Sequence, residues 1–181
     1  MKKYIFASLA ACLMAPAAIA QVFVVGGGQG AECYKAAKVD HLSPHQAERV
    51  CSNALRESTI TRGNKAATHV NRGILRMRSA KYEEALDDYT RATKLVPDLG
   101  EAFVNRGAAL IYLGDYQNAI PALTRAIDLD SSQLFAAYYN RGIARENSGD
   151  ISGAYEDFKK ADELRPDWDL VKMQLSRFRV G

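Results

Sequence analysis

The sequence predicts an all-α fold, a solenoid of three helix-turn-helix repeats followed by a capping helix. The tripeptide Asn105-Arg106-Gly107 recurs upstream as Asn71-Arg72-Gly73 and downstream as Asn140-Arg141-Gly142. The glycines are therefore 34 and 35 residues apart, and an alanine follows each of them 12 and 19 residues later. A period of this length indicates stacked helix pairs, in which small residues let the paired helices approach closely.

Residues 1–20 are expected to be a secretory signal peptide that directs the protein to the periplasm. Lys2 and Lys3 supply the positive start, an apolar run follows, and Ala18-Ile19-Ala20 is a small-x-small cleavage site. Cleavage there leaves Gln21 as the first mature residue. The apolar run is too short for a membrane span, so none is expected.

The same segment allows two other destinations, secretion and a lipid anchor. Leu9-Ala10-Ala11-Cys12 resembles a lipobox, in which Cys12 is lipidated and the protein becomes an outer-membrane lipoprotein. The charged and apolar region before Cys12 is short for a signal sequence. Cleavage after Ala20 is therefore the preferred interpretation.

Residues 21–30 are expected to form a glycine-rich linker. The run Gly26-Gly27-Gly28-Gln29-Gly30 follows apolar residues, as in a dinucleotide-binding fingerprint. That fingerprint requires a crossover helix and a second parallel strand, whereas a short helix and then repeats follow here. No nucleotide or other cofactor is expected.

Residues 31–64 are expected to form a helical hairpin, with helices at 31–39 and 44–57, and a connector. Ser43 is suited to be the N-cap of the second helix, and Pro44 to its first turn. Cys33 and Cys51 come to nearly the same height on the two antiparallel helices. An even pair of cysteines in an exported protein favours a disulfide, and two buried free thiols are the alternative.

The repeats are expected at 66–99, 100–133 and 135–168, in a repeat region that covers 65–166. Their helix pairs are predicted at 65–79 and 82–95, at 99–113 and 116–129, and at 134–148 and 151–164. Pro121 is unusual because it lies past the first turn of its helix, where it removes a backbone hydrogen bond.

Residues 167–181 are expected to form a C-terminal cap helix. Trp168, Val171, Leu175 and Phe178 have helical spacing and form one apolar stripe. The other face is polar, as the end of a repeat array requires.

The repeats resemble those of the tetratricopeptide repeat (TPR) family. The bulky aromatic residue that the family has four positions before the glycine corresponds to His69, Phe103 and Tyr138. The resemblance covers about residues 66–166 and implies a right-handed superhelix whose first helices line a concave groove. It also implies a non-enzymatic scaffold that binds a protein or peptide, here as a short exported bacterial member.

By position, the resemblance places sixteen residues in this groove. They are Val70, Asn71, Ile74, Met77, Arg78, Glu101, Val104, Asn105, Ala108, Ile111, Tyr112, Ala136, Tyr139, Asn140, Ile143 and Glu146.

Each repeat contributes an asparagine to the groove. An amide side chain both donates and accepts hydrogen bonds, so a row of asparagines suits the backbone of an extended peptide. A hydrogen bond within the array is the equally weighted alternative. TPR members that bind a C-terminal carboxylate use lysine at positions that hold Val70 and Ala136 here, so an apolar ligand is expected.

The arginine before each glycine needs a separate explanation. Arg72 and Arg141 each have an aspartate 16 residues later, Asp88 and Asp157. A structural ion pair is the simpler interpretation of that spacing. Arg106 has Ala122 at the matching place, so the sequence assigns it no partner.

Little in the sequence suggests catalysis. Ser43-Pro44 begins a helix between His41 and His45, and no zinc-protease, phosphate-loop or nucleophile-elbow motif is present, so no metal site or enzyme is expected. Nucleic acid is not an expected partner, because the sequence has 24 basic and 21 acidic residues and no basic stripe.

The sequence therefore predicts a protein-binding TPR scaffold exported to the cell envelope. A lipid-anchored envelope assembly factor is the alternative, and an enzyme is the least favoured. The sequence leaves open the partner, the oligomeric state, and whether the hairpin stacks as an extra half-repeat or fills the groove.

Overall fold

The computed structural model describes residues 4–6, 29–38 and 42–180, which contain nine helices and two short strands. The strands are β1 (Tyr4–Phe6) and β2 (Phe178–Val180). The helices are α1 (Gln29–Lys38), α2 (Pro44–Ala54), α3 (Arg62–Arg78), α4 (Tyr82–Leu95), α5 (Gly100–Tyr112), α6 (Tyr116–Asp128), α7 (Leu134–Asn147), α8 (Ile151–Leu164) and α9 (Asp169–Leu175). The repeat helices α3 to α8 begin and end within three residues of the predicted positions, and the all-α solenoid is confirmed.

In each repeat, a glycine on the first helix packs against a large side chain on the second helix. A Cβ atom added to Gly107 would lie 2.4 Å from the Leu123 side chain, and one added to Gly73 would lie 2.5 Å from Tyr89. No carbon atom fits at those distances, so only glycine permits this helix spacing. The alanines that recur with the glycines are fully buried beside these contacts.

The N-terminal hairpin continues the solenoid as an extra, shorter repeat. Ala47, Cys51 and Ala54 repeat the spacing of the alanine, large and alanine positions of α4. Helix α2 packs against α3, and α1 packs beside α3 as α5 packs beside α7. Of the two arrangements that the sequence left open, the hairpin therefore stacks on the array.

In this extra repeat, two cysteines take the place of the glycine and the large residue. The sulfur atoms of Cys33 and Cys51 lie 2.12 Å apart, and their Cα atoms lie 4.5 Å apart. Both residues are fully buried. The predicted N-cap of α2 is also present, since Ser43 and Gln46 form a reciprocal capping box.

The C-terminal end differs from the prediction of one long cap helix. Helix α9 ends at Leu175, and the Ser176 hydroxyl then donates a hydrogen bond back to the carbonyl of Met173. Phe178 leaves the helical stripe and packs against Tyr155 and Phe158, with ring centroids 5.6 and 5.9 Å away. Phe178 makes these aromatic contacts from extended backbone, so residues 178–180 form a strand and do not continue the helix.

Strand β2 pairs antiparallel with β1, with Tyr4 opposite Val180 and Phe6 opposite Phe178. Strand β1 was not predicted, because residues 4–6 lie in the predicted signal peptide. The rest of that segment, including Cys12, lies outside the described residues. So do 21–28 of the predicted linker, whose last two residues, Gln29 and Gly30, belong to α1.

Pro121 does not interrupt α6, which runs from Tyr116 to Asp128. The proline lies on the exposed side of that helix. The carbonyl that lacks its usual donor is on the side that water can reach, which lowers the cost of a proline at this position.

Candidate partner-binding groove

The sixteen residues assigned to the groove lie on α3, α5 and α7, and they divide into a buried floor and an accessible rim. The rim consists of Arg78, which is exposed, and of Glu101, Tyr112 and Glu146, which are half-buried. The floor consists of the twelve residues that are buried: Val70, Asn71, Ile74, Met77, Val104, Asn105, Ala108, Ile111, Ala136, Tyr139, Asn140 and Ile143.

The apolar floor residues join neighbouring repeats, contrary to the expectation that they form an open surface. Val70 and Ile74 of α3 belong to one hydrophobic cluster with Ala102 of α5. Val104 of α5 likewise packs with Ala136 of α7. Because consecutive first helices lie side by side, aliphatic side chains on their facing edges fill the space between them. The sequence cannot show this, since burial here depends on contacts between repeats.

The three asparagines of the floor are fully buried. Asn105 and Asn140 each make an interaction in the structure. Asn71 differs, because neither its Nδ2 nor its Oδ1 atom has a hydrogen-bond partner among the described residues. A buried polar group without a partner costs roughly 1–3 kcal/mol of folding free energy, so a hydrogen-bond partner for the Asn71 amide would stabilise the protein.

The rim combines aromatic and charged groups. Tyr112 stacks on Tyr82 of α4, with ring centroids 4.9 Å apart and planes 16° apart. Arg78 donates a hydrogen bond of 2.6 Å to the carbonyl of Ala37, near the end of α1. At the other end of the array, Glu146 is paired with Arg177. Burial raises the pKa of Glu146, and the charge of Arg177 opposes that effect.

On α3, the arginine and aspartate predicted to pair are part of a larger buried cluster. Arg72 donates to both Asp88 oxygens, with distances of 2.9 and 2.7 Å. Arg76 donates to one of them at 2.8 Å, and His69 Nδ1 lies 2.8 Å from the other. Burial alone would raise the pKa of Asp88, but hydrogen bonds from His69 and Arg72 and the charges of both arginines leave that pKa below its usual value. The ion-pair interpretation is thus confirmed for Arg72.

The third repeat contains the same arrangement. Arg141 donates to both oxygens of Asp157 at 2.9 and 2.8 Å, and Arg145 donates at 2.9 Å. Arg76 and Arg145 were not identified as members of these clusters. Their position one helical turn after Arg72 and Arg141 is the signal that could have found them.

These clusters also connect successive repeats. Arg72 Nη1 donates to the Ser52 hydroxyl of α2 at 3.0 Å, and Arg141 Nη1 donates to the Thr124 hydroxyl of α6 at 3.1 Å. Glu48 of α2 accepts from both Arg76 and Lys81, at 2.9 and 2.7 Å. The four arginines of these clusters therefore have structural roles and do not face the floor: Arg72, Arg76, Arg141 and Arg145.

Chemistry other than binding has little support in the described part of the chain. No group of three or more His, Cys, Asp or Glu residues there could hold a metal ion. His45 is exposed, and His41 lies outside the described residues. None of the helices that the structure describes has the length and apolar character needed to cross a membrane.

Comparison with known proteins agrees with the repeat architecture. A family model described as tetratricopeptide repeat matches residues 70–133 and 104–167. The small glutamine-rich tetratricopeptide repeat-containing protein 2 of Saccharomyces cerevisiae is 31% identical over 116 residues, which are 64% of this chain and 30% of that protein. This chain thus spans less than a third of that relative's length.

Two solved structures show similar folds. MamA residues 41 to the end, from Desulfovibrio magneticus RS-1, has a TM-score of 0.69 at 22% identity and covers 82% of each chain, which is a likeness of fold alone. The first TPR of Spaghetti (RPAP3), bound to the HSP90 peptide SRMEEVD, has a TM-score of 0.60 at 27% identity and covers 63% of this chain and 90% of that one. In that second structure, a repeat domain is bound to a peptide.

Proposed function

Because this chain belongs to the tetratricopeptide repeat family, we propose that it is a non-enzymatic scaffold that binds an extended segment of another protein along α3, α5 and α7. TPR domains are protein-binding scaffolds, and the Spaghetti domain is bound to a peptide. The rim is the part of this surface that a partner would meet first, and the buried floor lies beneath it.

The amide of Asn71 carries the proposal. It is fully buried in the floor, and neither of its polar atoms has a partner among the described residues. An extended peptide backbone offers a carbonyl acceptor and an N–H donor at adjacent positions, which match the Nδ2 and Oδ1 atoms of an asparagine. Because Asn71 is inaccessible in the free protein, a bound segment would remove this cost by moving the side chains that cover the amide.

The rim indicates what kind of segment would bind. The stacked pair Tyr82 and Tyr112 offers a flat aromatic surface to an apolar or aromatic side chain. Val70 and Ala136 stand where carboxylate-binding TPR members have lysine, so a terminal carboxylate is not the anchor. The ligand class that fits best is an apolar segment in extended conformation, read by backbone hydrogen bonds.

Substitution of Asn71 by leucine tests the proposal. Leucine keeps the approximate volume and removes the unpaired amide, so the thermal midpoint should stay the same or rise while partner binding falls. A photoreactive amino acid at Tyr112 should form an adduct with the partner in the native cells, and Asn71→Leu should abolish that adduct.

The same photoreactive group at Tyr138 is the matched control. Tyr138 is a half-buried tyrosine on α7 that lies against Arg141, whose guanidinium carbon is 5.3 Å from the ring centroid. It therefore faces the ion-pair cluster and not the floor. Equal adducts from both positions, or an adduct that survives Asn71→Leu, would contradict binding along the floor.

We further propose that the protein acts in the cell envelope, as the signal-peptide interpretation suggests. The facing pair Cys33 and Cys51 supports this location, since disulfides persist in oxidising compartments. Mass spectrometry of the mature N-terminus separates the alternatives. A chain that begins at Gln21 agrees with a periplasmic or secreted protein, and a lipidated Cys12 agrees with a lipid-anchored assembly factor.

A further inference from the structure

The middle repeat keeps the arginine of the ion-pair clusters but lacks the carboxylate. Asp88 and Asp157 follow Arg72 and Arg141 by 16 residues, whereas Ala122 follows Arg106 at that distance. Ala122 is 4% exposed, so the position is as deep as in the neighbouring repeats. Leu110 likewise replaces the second arginine of each cluster.

Arg106 is consequently a half-buried cation with an unmet donor. Its Nε atom is buried and has no hydrogen-bond partner among the described residues. Nearly all buried donors in native proteins are paired, and a guanidinium pairs best with a carboxylate that spans two of its N–H groups. The equivalent Nε atoms of Arg72 and Arg141 both donate to aspartate at 2.9 Å.

A hydroxyl group completes the comparison. In the flanking repeats, the arginine also donates to a hydroxyl on the second helix of the preceding repeat, Ser52 or Thr124. Each of these follows the first alanine of its helix by five residues, and Thr90 occupies that position on α4. Thr90 is half-buried. The middle repeat thus has the first arginine and the hydroxyl of the clusters, whereas the anion and the second arginine are missing.

We propose that Arg106, Thr90 and Ala122 form a binding site for the carboxylate of an aspartate or glutamate side chain from a partner protein. The site lies between α4 and α6, on the side of α5 that faces the second helices of the repeats. The pair Arg141 and Asp157 shows the expected bound geometry, in which Nε and Nη2 each donate to one carboxylate oxygen. Because the Arg106 Nε is buried in the free protein, the side chains that cover it would move as the carboxylate enters. This surface is separate from the floor, so the proposal does not rest on binding in the groove.

The size and surroundings of the site favour a carboxylate. What Ala122 lacks, compared with aspartate, is a single carboxyl group. The planar guanidinium fits a carboxylate through two parallel hydrogen bonds. Leu110 occupies the position of the second arginine and makes the surroundings of Arg106 apolar, and low polarity strengthens an ion pair that forms there.

Restoring the missing carboxylate tests whether the site has room for one. In Ala122→Asp, the new carboxyl group should pair with Arg106, and the thermal midpoint should rise. In the background Arg106→Met, the same substitution should lower the midpoint, because it buries an unpaired carboxylate. A midpoint that falls equally in both backgrounds would show that no carboxylate fits beside Arg106 and would overturn the proposal.

Binding is measured by titrating the full chain with acetyl-Gly-Asp-Gly-amide while following the arginine Nε–Hε resonances by NMR. The Arg106 signal should shift and saturate. The signals of Arg72 and Arg141 should stay in place, because Asp88 and Asp157 already pair with those guanidinium groups. Ala122→Asp should weaken binding at least about tenfold. The peptide with Asn in place of Asp should cause no shift.

Two outcomes of the titration would contradict the proposal. Absence of a saturable shift at Arg106 would show that water alone satisfies its Nε. A shift with acetate and none with the aspartate peptide would identify a site for small free anions, not for a protein side chain. Variants of the floor, such as Asn71→Leu, should leave this titration unchanged, so failure here is distinct from failure of the groove.

Discussion

Arg141 and Asp157 form a two-point ion pair in which Nε and Nη2 of the arginine each donate to a separate oxygen of the aspartate, at 2.9 and 2.8 Å. The aspartate side chain is 4% exposed and the arginine side chain 12% exposed. Arg145 donates to the same carboxylate. One aspartate thus accepts hydrogen bonds from two largely buried arginines between α7 and α8.

Removal of Asp157 should be more costly than removal of a nearby acidic residue. Asp157→Ala leaves Arg141 and Arg145 without their buried anion, and breaking such a pair costs roughly 3–5 kcal/mol. Asp162→Ala, on the same helix, removes a side chain with no ion pair among the described residues, and its cost should be well below that. Urea denaturation of the two variants measures both values. Equal losses would show that the cluster adds nothing specific to stability.

The cluster around Asp88 should make stability depend on pH in the acid range. Since its folded pKa lies below its usual value, Asp88 stabilises the fold above the unfolded pKa, about 3.9, and this contribution is lost as the pH falls toward the folded pKa. Glu48 has a lowered pKa as well, because hydrogen bonds from Lys81 and Arg76 outweigh the effect of burial, and so it acts in the same direction.

Scanning calorimetry between about pH 7 and 3 measures this dependence. The wild-type thermal midpoint should be nearly constant down to about pH 5 and should then fall. In Asp88→Asn the midpoint should be lower at neutral pH, and its decline on acidification should be smaller. Asp87→Asn is the control, because the Asp87 side chain is 54% exposed. If Asp88→Asn shows the same acid slope as the wild type, the charge of Asp88 does not govern acid stability.

The sequence predicts those features that depend on contacts within one repeat. The 34- and 35-residue period locates α3 to α8, because glycine and alanine recur wherever paired helices touch. The 16-residue spacing from Arg72 to Asp88 likewise identifies a pair inside one repeat. A single repeat motif contains all the information that these predictions need.

Features that depend on contacts between elements far apart in sequence were not predictable. Val104 is buried because α7 brings Ala136 against it. Phe178 leaves the helical stripe because Tyr155 and Phe158 offer it an aromatic contact. One contact within a repeat was also missed, because His69 holds the aromatic position of the first repeat and its hydrogen bond to Asp88 depends on how α3 faces α4.

Ala80 is a position where a single substitution should stabilise the protein. It ends the turn between α3 and α4 with φ of 55°, where the next two repeats have Gly114 and Gly149 with φ of 74° and 88°. A left-handed conformation is costly for a residue with a Cβ atom and not for glycine. Ala80 is exposed, so its methyl group contributes little packing.

Ala80→Gly should therefore raise the free energy of unfolding by about 0.5–1 kcal/mol. Gly114→Ala, the matched reverse change, should lower it by about 1 kcal/mol. Urea denaturation with a common slope gives both values. A loss of stability in Ala80→Gly would mean that the greater freedom of glycine in the unfolded chain outweighs the strain at this turn.

A disulfide bond between the facing residues Cys33 and Cys51 should stabilise the N-terminal hairpin more than the rest of the array. It joins α1 to α2 across a separation of 18 residues, and a loop of that size is worth about 3 kcal/mol in the chain-entropy account. Both cysteines are fully buried, so a reductant should reach them only when the hairpin opens.

The double variant Cys33→Ser/Cys51→Ser should have a lower thermal midpoint, and the amides of α1 should exchange with solvent faster, while those of α5 change little. Reductant should lower the midpoint of the wild type and leave the double variant unaffected. Mass spectrometry under non-reducing conditions that found two free thiols in the native protein would rule out this covalent role.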